Sequence, residues 1–250
     1  MGRRGQPKHL KRFAAPEFWP IPKKAYTFTV RPLAGPHALE NSIPLLIIVR
    51  DILKYAETAA EAKKIIKRGE ILVDGKVRRE HKFPVGLMDV ISIPKTGENY
   101  RVLPDPVKGL ILHPISMEEA NFKLCRIENK TMVKGGNIQL NLHDGRNILV
   151  SIANPADPKE DVYKTLDTLK INLSKREIQA HVSFDEGRQA IIVKGKNRGI
   201  YGVIKGIEGP VQRDFKTVLI EDSYGNIYRT SINYVFVIGD TEPLITLPKR

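Results

Sequence analysis

Cysteine is almost absent from this sequence: Cys125 is the only one in 250 residues. An internal disulfide is therefore excluded, and so is a metal site built from several cysteines, as is usual for proteins of the reducing cytoplasm. The six histidines are scattered and never fall at the spacing of zinc ligands. We expect no metal, no cofactor and a buried structural role for Cys125.

Long hydrophobic segments are also missing. The longest apolar run, Leu45 to Val49, is far shorter than the ~20 residues that a membrane-spanning helix needs. The basic residues at the start of the chain are not followed by the apolar stretch of a secretory signal. We therefore expect a soluble protein that stays in the cytoplasm and has no membrane partner.

Acidic residues are scarce at the N-terminus, where basic residues are concentrated. The first thirty-one residues contain eight Lys or Arg and one acid, Glu17, and the net charge of the whole chain is +13. Prolines and aromatic residues are interspersed with these cations, and no regular apolar period runs through them. Because such a segment lacks the apolar surface to fold by itself, residues 1–41 are predicted to form an extended arm that RNA orders. A merely solvated, disordered terminus is the alternative.

The composition of this N-terminal arm favours RNA as its partner. Cations neutralise phosphates, and aromatic rings stack on bases or sugars. Trp19, the only tryptophan in the chain, would serve no purpose in a tail that provides solubility alone. The candidate RNA-contacting residues of the arm are Arg3, Arg4, Lys8, His9, Lys11, Arg12, Trp19, Lys23, Lys24 and Arg31.

Two short helices are predicted after the arm, at the start of a first module that we assign to residues 42–95. Ser42 is expected to cap the first helix, which has a broad apolar face. Thr58 and Glu61 have the spacing of a capping box for the second helix, and Gly69 stands where a helix C-terminus favours glycine. The outer surface of the second helix carries four cations: Lys63, Lys64, Lys67 and Arg68.

A β-hairpin and a further strand follow the helices. Asp74-Gly75 is a typical hairpin turn, and residues 86–93 have strand character. The order helix, helix, hairpin, strand and the residues EAKKIIKRGEILVDGK…FPVGLMDVISI resemble the S-four type RNA-binding domain. That domain occurs in ribosomal proteins, some pseudouridine synthases and some aminoacyl-tRNA synthetases. The resemblance implies that RNA contacts the second helix and the hairpin, at Lys63, Lys64, Lys67, Arg68, Lys76 and Arg78.

The first module departs from that domain at two places. Many members have an Arg-Leu-Asp triplet at the start of the first helix and an Arg just before the Glu-Ala of the second. Here Ile43-Pro44-Leu45-Leu46 and Ala59-Ala60 occupy these places. We expect the corresponding contacts to be lost, and the S-four surface to face either RNA or another protein.

Short alternating apolar segments, separated by turns that contain glycine, characterise residues 96–176. This alternation predicts a central antiparallel β domain. His143 and Asp144 lie between two such segments and have the residue types of a catalytic pair. Adjacent residues in a turn point apart, however, and no nucleophile accompanies them, so we expect no catalysis there.

A glycine-rich loop between two apolar strands marks the last part of the chain, residues 177–250. Gly195 and Gly199 permit backbone conformations that other residues disfavour, so the polar residues beside them can project towards a phosphate backbone. The segment AIIVKGKNRGIYGVIKG resembles the KOW motif of ribosomal proteins and transcription elongation factors, which is usually part of a small SH3-like barrel. A merely solvated hairpin tip is the alternative. The candidate RNA-contacting residues of this loop are Lys194, Lys196, Asn197 and Arg198.

The order of arm, S-four type domain and KOW loop, with the leading residues GRRGQPKHLKR, resembles the S-four-e family of archaeal and eukaryotic small-subunit ribosomal proteins. The resemblance implies an α+β, multi-domain fold with an extended basic N-terminal arm, an S-four type domain, a central antiparallel β domain and a C-terminal SH3-like β-barrel. It implies a non-enzymatic constituent of the small ribosomal subunit that binds small-subunit rRNA beside neighbouring ribosomal proteins. We expect a cytoplasmic protein that forms no homo-oligomer, and the chain length favours an archaeal member.

Other RNA-binding classes fit the sequence less well. A pseudouridine synthase would need a catalytic Asp in an Arg-Leu-Asp context, and no such triplet occurs. An aminoacyl-tRNA synthetase would need His and Lys motifs for nucleotide binding, which are missing. A transcription elongation factor would share the KOW loop but would have no use for the arm and the S-four type domain.

Overall fold

The computed structural model describes residues 8–152, 161–209 and 216–248. The candidate residues Arg3 and Arg4 lie outside the described residues. Over the described ranges the chain is mostly β, with three five-stranded antiparallel sheets and one α-helix longer than a single turn. The predicted α+β fold is thus confirmed in its coarser form, as a mostly β protein with few helices. Alternating apolar residues, which favour strands, extend over most of the chain after the first module.

The N-terminal arm is folded onto the first module over its described residues, 8–41. Its strands β1, Leu10–Lys11, and β2, Phe28–Thr29, pair antiparallel. The Trp19 side chain is 3% exposed, and its indole N–H donates to the Ser42 carbonyl oxygen at 2.8 Å. The prediction that the arm stays extended until RNA orders it is wrong for these residues.

Apolar residues of the arm account for this difference. Leu10, Ala15, Trp19 and Ile21 are buried in one hydrophobic cluster with residues 45–49. A tryptophan alone buries roughly 150–250 Å², which helps to offset the entropy of ordering the arm. The four residues recur at no helical or strand period, so periodicity does not detect the face that they form.

The first helix is shorter and less regular than predicted. Strand β3, Ser42–Pro44, leads into α1, Leu45–Ile47, which continues as a π-helix over Ile48–Ile52. Ser42 does not cap the helix: its hydroxyl donates to the Ala38 carbonyl oxygen at 2.8 Å. The predicted cap was wrong because the chain remains in a strand through Pro44, and the helix begins only at Leu45.

Helix α2, Ala59–Arg68, begins and ends as predicted. The Thr58 hydroxyl accepts a hydrogen bond from the Glu61 backbone N–H at 3.2 Å. The Glu61 carboxylate accepts one from the Thr58 backbone N–H at 3.4 Å, which completes the capping box. Gly69 ends the helix in the left-handed region, with φ of 81°.

The first sheet combines strands of the first module with strands that follow it. The strands in this part of the chain are β4 Leu72–Val73, β5 Lys76–Val77, β6 Pro84–Gly86, β7 Val90–Ile93, β8 Glu98–Asp105 and β9 Gly109–Pro114. All of them except β6 belong to the first sheet. The order in the sheet is β5-β4-β7-β8-β9, and β6 pairs with β3 instead. The predicted boundary after residue 95 therefore lies within a sheet, because β8 continues the ladder of β7.

The second sheet forms the central antiparallel domain that the alternation predicts. Its strands are β10 Phe122–Met132, β11 Ile138–Leu142, β12 Asn147–Val150, β13 Thr168–Asn172 and β14 Ile178–Val182. They are ordered β12-β11-β10-β13-β14. The predicted boundary after residue 176 falls in the turn between β13 and β14, which pair with each other, so the sheet extends to residue 182.

The third sheet contains the C-terminal strands. They are β15 Gln189–Ile192, β16 Tyr201–Glu208, β17 Thr217–Glu221, β18 Ile227–Ser231 and β19 Val235–Gly239. Their order is β18-β17-β16-β15-β19, so four strands form a meander and the last returns to pair with the first.

A buried lysine joins the first module to the central domain. Lys123 of β10 is fully buried, and its ammonium lies 2.9 Å from the Asp74 carboxylate, 2.5 Å from Asp89 and 3.1 Å from Asp144. We call these four residues the interdomain ionic cluster. His37 of the arm bonds to the same Asp89 carboxylate at 3.0 Å. Three parts of the chain therefore meet at this cluster.

Electrostatic attraction keeps the cluster charged. Burial by itself would raise the pKa of the Asp89 carboxyl, but Lys123 and His37 outweigh it and hold this pKa well below its usual value. Burial would likewise raise the pKa of Asp144, but Lys123, His143 and Arg146 together outweigh it and lower this pKa to about 2. Burial would lower the pKa of Lys123, yet Asp89 and Asp74 raise it.

Candidate nucleic-acid interface

Helix α2 presents an unpaired cationic surface. Its buried residues Ala62 and Ile66 face the core, which leaves four exposed cations on the outside: Lys63, Lys64, Lys67 and Arg68. We call these four residues the α2 surface. None of them forms a salt bridge with another described residue, so their charge remains available to a ligand.

The positive potential of the α2 surface extends to a neighbouring histidine. Partial burial is the main cause of the lowered pKa of His81. Lys63, Lys82 and Lys67 lower this pKa further, although Glu80 acts in the opposite direction. Cations that disfavour a further positive charge favour a phosphate at the same place.

The hairpin cations have neighbours that the sequence did not indicate. Lys76 is exposed, and its pKa is lowered chiefly by Arg176 and then by partial burial, Arg78 and Arg146. The Arg78 guanidinium lies 4.3 Å from the centroid of the Phe83 ring. Arg146 and Arg176 belong to turns of the central domain, so only the packing of two sheets brings them to the hairpin. In the sequence, the one feature that could have pointed to Arg146 and Arg176 as candidate RNA contacts is a basic residue in a predicted turn.

Two of the predicted RNA contacts in the arm, Trp19 and Arg12, have structural roles instead. Trp19 is buried, so its ring is not available for stacking on a base. Arg12 is 4% exposed; its Nε donates to the Phe28 carbonyl at 3.2 Å and its Nη1 to the Pro22 carbonyl at 2.5 Å. Its guanidinium also lies over the Tyr26 ring. These two side chains stabilise the folded arm, and we no longer consider them candidate RNA contacts.

Other residues of the arm do form an exposed surface of cations and rings. Lys11 and Phe28 are paired across β1 and β2, and the His9 ring lies 5.6 Å from that of Phe28. Phe13 is 71% exposed and Tyr26 is 72% exposed. The predicted chemistry is therefore present, but on different rings. Of the remaining arm candidates in the described residues, Lys8 and Lys24 are exposed, and Lys23 and Arg31 are half-buried.

The loop between β15 and β16 has the backbone that its glycines predict. Gly195 and Gly199 have φ values of 83° and 81°. A Cβ placed on Gly199 would lie 2.7 Å from the Pro106 ring, so this residue must also be glycine for the loop to pack on the turn between β8 and β9. The C-terminal sheet is thereby fixed against the first sheet.

The polar residues of this loop divide into two groups. Lys194 and Lys196 are exposed, whereas Asn197 and Arg198 are half-buried. The Nε of Arg198 donates to the Asp105 carbonyl oxygen at 3.2 Å. Arg198 therefore has a structural contact within the protein, and the two lysines are the exposed cations of the loop.

His143 and Asp144 do not form a catalytic pair. The pKa of His143 is lowered to about 3 by burial and by Lys123, so the imidazole is neutral. Its Nδ1 accepts from the Arg126 backbone N–H at 3.2 Å, and its Nε2 lies 3.3 Å from the Leu87 carbonyl oxygen. Asp144 is held by Lys123. Nowhere in the described residues do three or more His, Cys, Asp or Glu side chains form a potential metal site.

Curated relatives match the chain over its full length. The small ribosomal subunit protein eS4 of Staphylothermus marinus is 55% identical over 249 residues, which cover 100% of this chain and 99% of that protein. The protein of the same name from Aeropyrum pernix is 54% identical over 249 residues, with 100% and 98% covered. The one from Methanocaldococcus jannaschii is 52% identical over 248 residues, with 99% and 100% covered. The chain belongs to the S4e family of ribosomal proteins.

Three segments match the domains of S4e proteins. Residues 4–40 match the RS4NT (NUC023) domain, residues 44–91 the S4 domain and residues 96–178 the ribosomal family S4e. The resemblances found in the first module and in the chain as a whole are thus confirmed. The crystal structure of the 30S ribosomal protein S4e from Thermoplasma acidophilum is 33% identical and superposes with a TM-score of 0.66, covering 80% of this chain and 96% of that one.

Membership of the S4e family excludes an enzyme, because its members are ribosomal proteins. The buried and hydrogen-bonded state of His143 agrees with this conclusion. In the part of this S4e protein that the structure describes, no helix has the length and apolar character needed to cross a membrane.

Proposed function

We propose that the protein is a structural constituent of the small ribosomal subunit, where it binds and stabilises folded small-subunit rRNA through phosphate contacts and catalyses no reaction. The observation that carries this proposal is the α2 surface, whose four exposed cations form no salt bridge with any residue that the structure describes. The S4 domain match over residues 44–91 supports an RNA partner. The relatives are named small ribosomal subunit proteins, which supports the small subunit as the location of this protein.

The α2 surface suits phosphates because it is rigid as well as charged. The capping box at Thr58 and Glu61 and the glycine at residue 69 fix both ends of the helix, so little order has to be gained on binding. Contacts of Lys and Arg to phosphates position a protein on RNA without reading its sequence. Such contacts are what a structural component of a folded RNA requires.

Two further surfaces contribute to the proposed RNA contact. On the arm, the exposed residues Lys11, Phe13 and Phe28 combine cations with rings. In the C-terminal domain, Lys194 and Lys196 project from the glycine-rich loop. We infer that this domain is an SH3-like barrel with a KOW motif. The return of β19 to pair with β15 and the left-handed glycines of the loop support this inference.

The proposed setting is the cytoplasmic small ribosomal subunit. Within it, the protein acts as a single copy beside neighbouring ribosomal proteins and has no membrane partner. Exposed apolar side chains outside the cationic surfaces support protein neighbours; Val107 is 89% exposed and Met117 is 80% exposed.

A salt series tests the proposal. The affinity of the full chain for small-subunit rRNA is measured between low and high salt, for the wild type and for a variant in which Lys63, Lys64, Lys67 and Arg68 are all replaced by Gln. Each phosphate contact contributes about 0.7–0.9 to the slope of log affinity against log salt, so the variant should lose about three units of slope. Its melting temperature should remain that of the wild type, because the four residues are exposed.

A matched control removes the same charge from cations that already have partners. Lys95, Arg188, Lys205 and Arg229 form surface salt bridges with carboxylates, and their replacement by Gln changes the net charge equally. The control should keep a slope close to that of the wild type. Equal slopes for all three proteins would refute the α2 surface as a phosphate-binding site.

A further inference from the structure

Three turns from two sheets surround a cleft between the first module and the central domain. The turn of the β4–β5 hairpin forms one wall, the β11–β12 turn a second and the β13–β14 turn a third; together they enclose about 260 Å³. The walls are close: a Cβ placed on Gly75 would lie 3.8 Å from the Cβ of Leu173. Each turn contributes one cation, namely Lys76, Arg146 and Arg176.

We propose that this interdomain cleft binds one backbone phosphate of small-subunit rRNA, held by Lys76, Arg146 and Arg176. The proposal rests on the proposed function, since it assigns a further contact to the same RNA. The cleft is a site separate from the α2 surface and extends beyond the S-four type domain, because Arg146 and Arg176 belong to the central domain.

The carboxylate in the cleft does not prevent anion binding. Asp74 lines the wall, but its Oδ2 is already held by the Lys123 ammonium at 2.9 Å and by Arg146 Nη2 at 2.5 Å. Arg146 is fixed further by a contact of its Nε with Asp144 at 3.1 Å. The guanidinium of Arg146 is therefore positioned before any ligand arrives, and a planar guanidinium fits the oxygens of a phosphate.

The other two cations are less constrained, although Asp74 attracts Lys76 and partly offsets the lowering of its pKa. Lys76 and Arg176 are exposed and form no salt bridge with another described residue. They repel each other: Arg176 is the largest cause of the lowered pKa of Lys76. Arg176 also has φ of 60°, a left-handed conformation that Asn or Gly would adopt with less strain. A phosphate between these side chains would convert their repulsion into attraction.

The cleft suits a backbone phosphate better than a base. Its remaining lining is largely aliphatic, including Ile148, Ile171 and Leu173, and offers few groups that could read the edge of a base. Lys76 stands in the hairpin that follows helix α2, so one RNA backbone could continue from the α2 surface to the cleft. A free phosphate ion would satisfy the same cations, and the experiment distinguishes the two sources.

The test uses the full chain with Lys76→Gln and Arg176→Gln combined. Arg146 is kept, because its loss would disturb the interdomain ionic cluster. The double variant should bind small-subunit rRNA about tenfold more weakly near physiological salt and lose about one unit of salt slope, whereas its melting temperature should not change. The control, Arg79→Gln with Lys175→Gln, alters exposed cations that are close in sequence to Lys76 and Arg176 but do not line the cleft, and it should bind like the wild type.

Phosphate ethylation of the rRNA locates the contact. Ethylation at one position should interfere with binding of the wild type and the control, and this interference should be absent for the double variant. Wild-type affinity and slope in the double variant would overturn the cleft site; if the quadruple variant of the α2 surface still weakens binding, the proposed function stands. If neither variant changes the slope, both proposals fail. Tight binding of inorganic phosphate, lost in the double variant while rRNA binding is unchanged, would assign the cleft to the free ion and overturn the inference.

Discussion

Replacing Lys123 by methionine removes the cation at the centre of the interdomain ionic cluster. Methionine has a similar length and is compatible with a buried position. The change leaves the carboxylates of Asp74, Asp89 and Asp144 buried without their shared partner. Breaking a buried ion pair in this way costs about 3–5 kcal/mol. Since Arg146 still contacts Asp74 and Asp144, we expect the lower end of this range, about 3 kcal/mol.

The pH dependence of stability should differ between the two proteins. In the wild type, the pKa values of Asp89 and Asp144 are lower in the folded state than in the unfolded chain. They therefore contribute stability that is present above an unfolded pKa of about 3.9 and is lost as the pH falls through the folded pKa values. Without Lys123, burial should raise these pKa values above about 3.9. The variant should then gain stability as the pH falls from neutral towards 4, where the wild type gains none.

Urea unfolding at several pH values between 4 and 7 measures both effects. The fluorescence of Trp19 reports on the first module, and circular dichroism reports on the whole chain. Lys205→Met is the matched control, because Lys205 is exposed and its surface salt bridge to Glu221 contributes at most about 1 kcal/mol. Adding Asp89→Asn to Lys123→Met should recover part of the lost stability. A Lys123→Met protein with wild-type stability and a parallel pH profile would refute the reasoning.

Three further substitutions test the arm and the helix cap. Trp19→Ala should lower the free energy of unfolding by about 3–5 kcal/mol in a thermal or urea melt, because a buried ring and its hydrogen bond are lost; an unchanged melt would contradict the packed arm. Phe13→Ala, at a side chain that is 71% exposed, should change stability by less than about 0.5 kcal/mol, yet lower rRNA affinity by up to about tenfold if the ring stacks on RNA. Thr58→Ala should cost about 1 kcal/mol through the lost cap, and Thr58→Ser, which keeps the hydroxyl, should melt close to the wild type.

Local features of this chain could be predicted from sequence, and distant contacts could not. The capping box at Thr58 and the hairpin turn at Asp74-Gly75 depend on residues within a few positions of each other, so their sequence patterns were sufficient. The burial of Trp19 depends on a carbonyl 23 positions away. Lys123 meets Asp89 and Asp74 across 34 and 49 positions. No periodicity encodes such separations, so the folded arm and the cationic cleft became visible only in the structure.

Contacts between residues that are distant in the sequence also explain why the net charge of +13 overstates the number of cations that are available to RNA. Some cations are buried at joints between modules: Lys123 holds the first module to the central domain, and Arg126 Nη1 donates to the Val235 carbonyl oxygen of the C-terminal sheet at 2.8 Å. Within the described ranges, no carboxylate forms a salt bridge with a cation of the α2 surface. Loss of a joint cation lowers RNA affinity through the folded fraction and leaves the salt slope of the folded molecules unchanged, whereas loss of a phosphate contact lowers the slope itself. The slope, and not the affinity, therefore distinguishes the cations that bind RNA from those that hold the protein together.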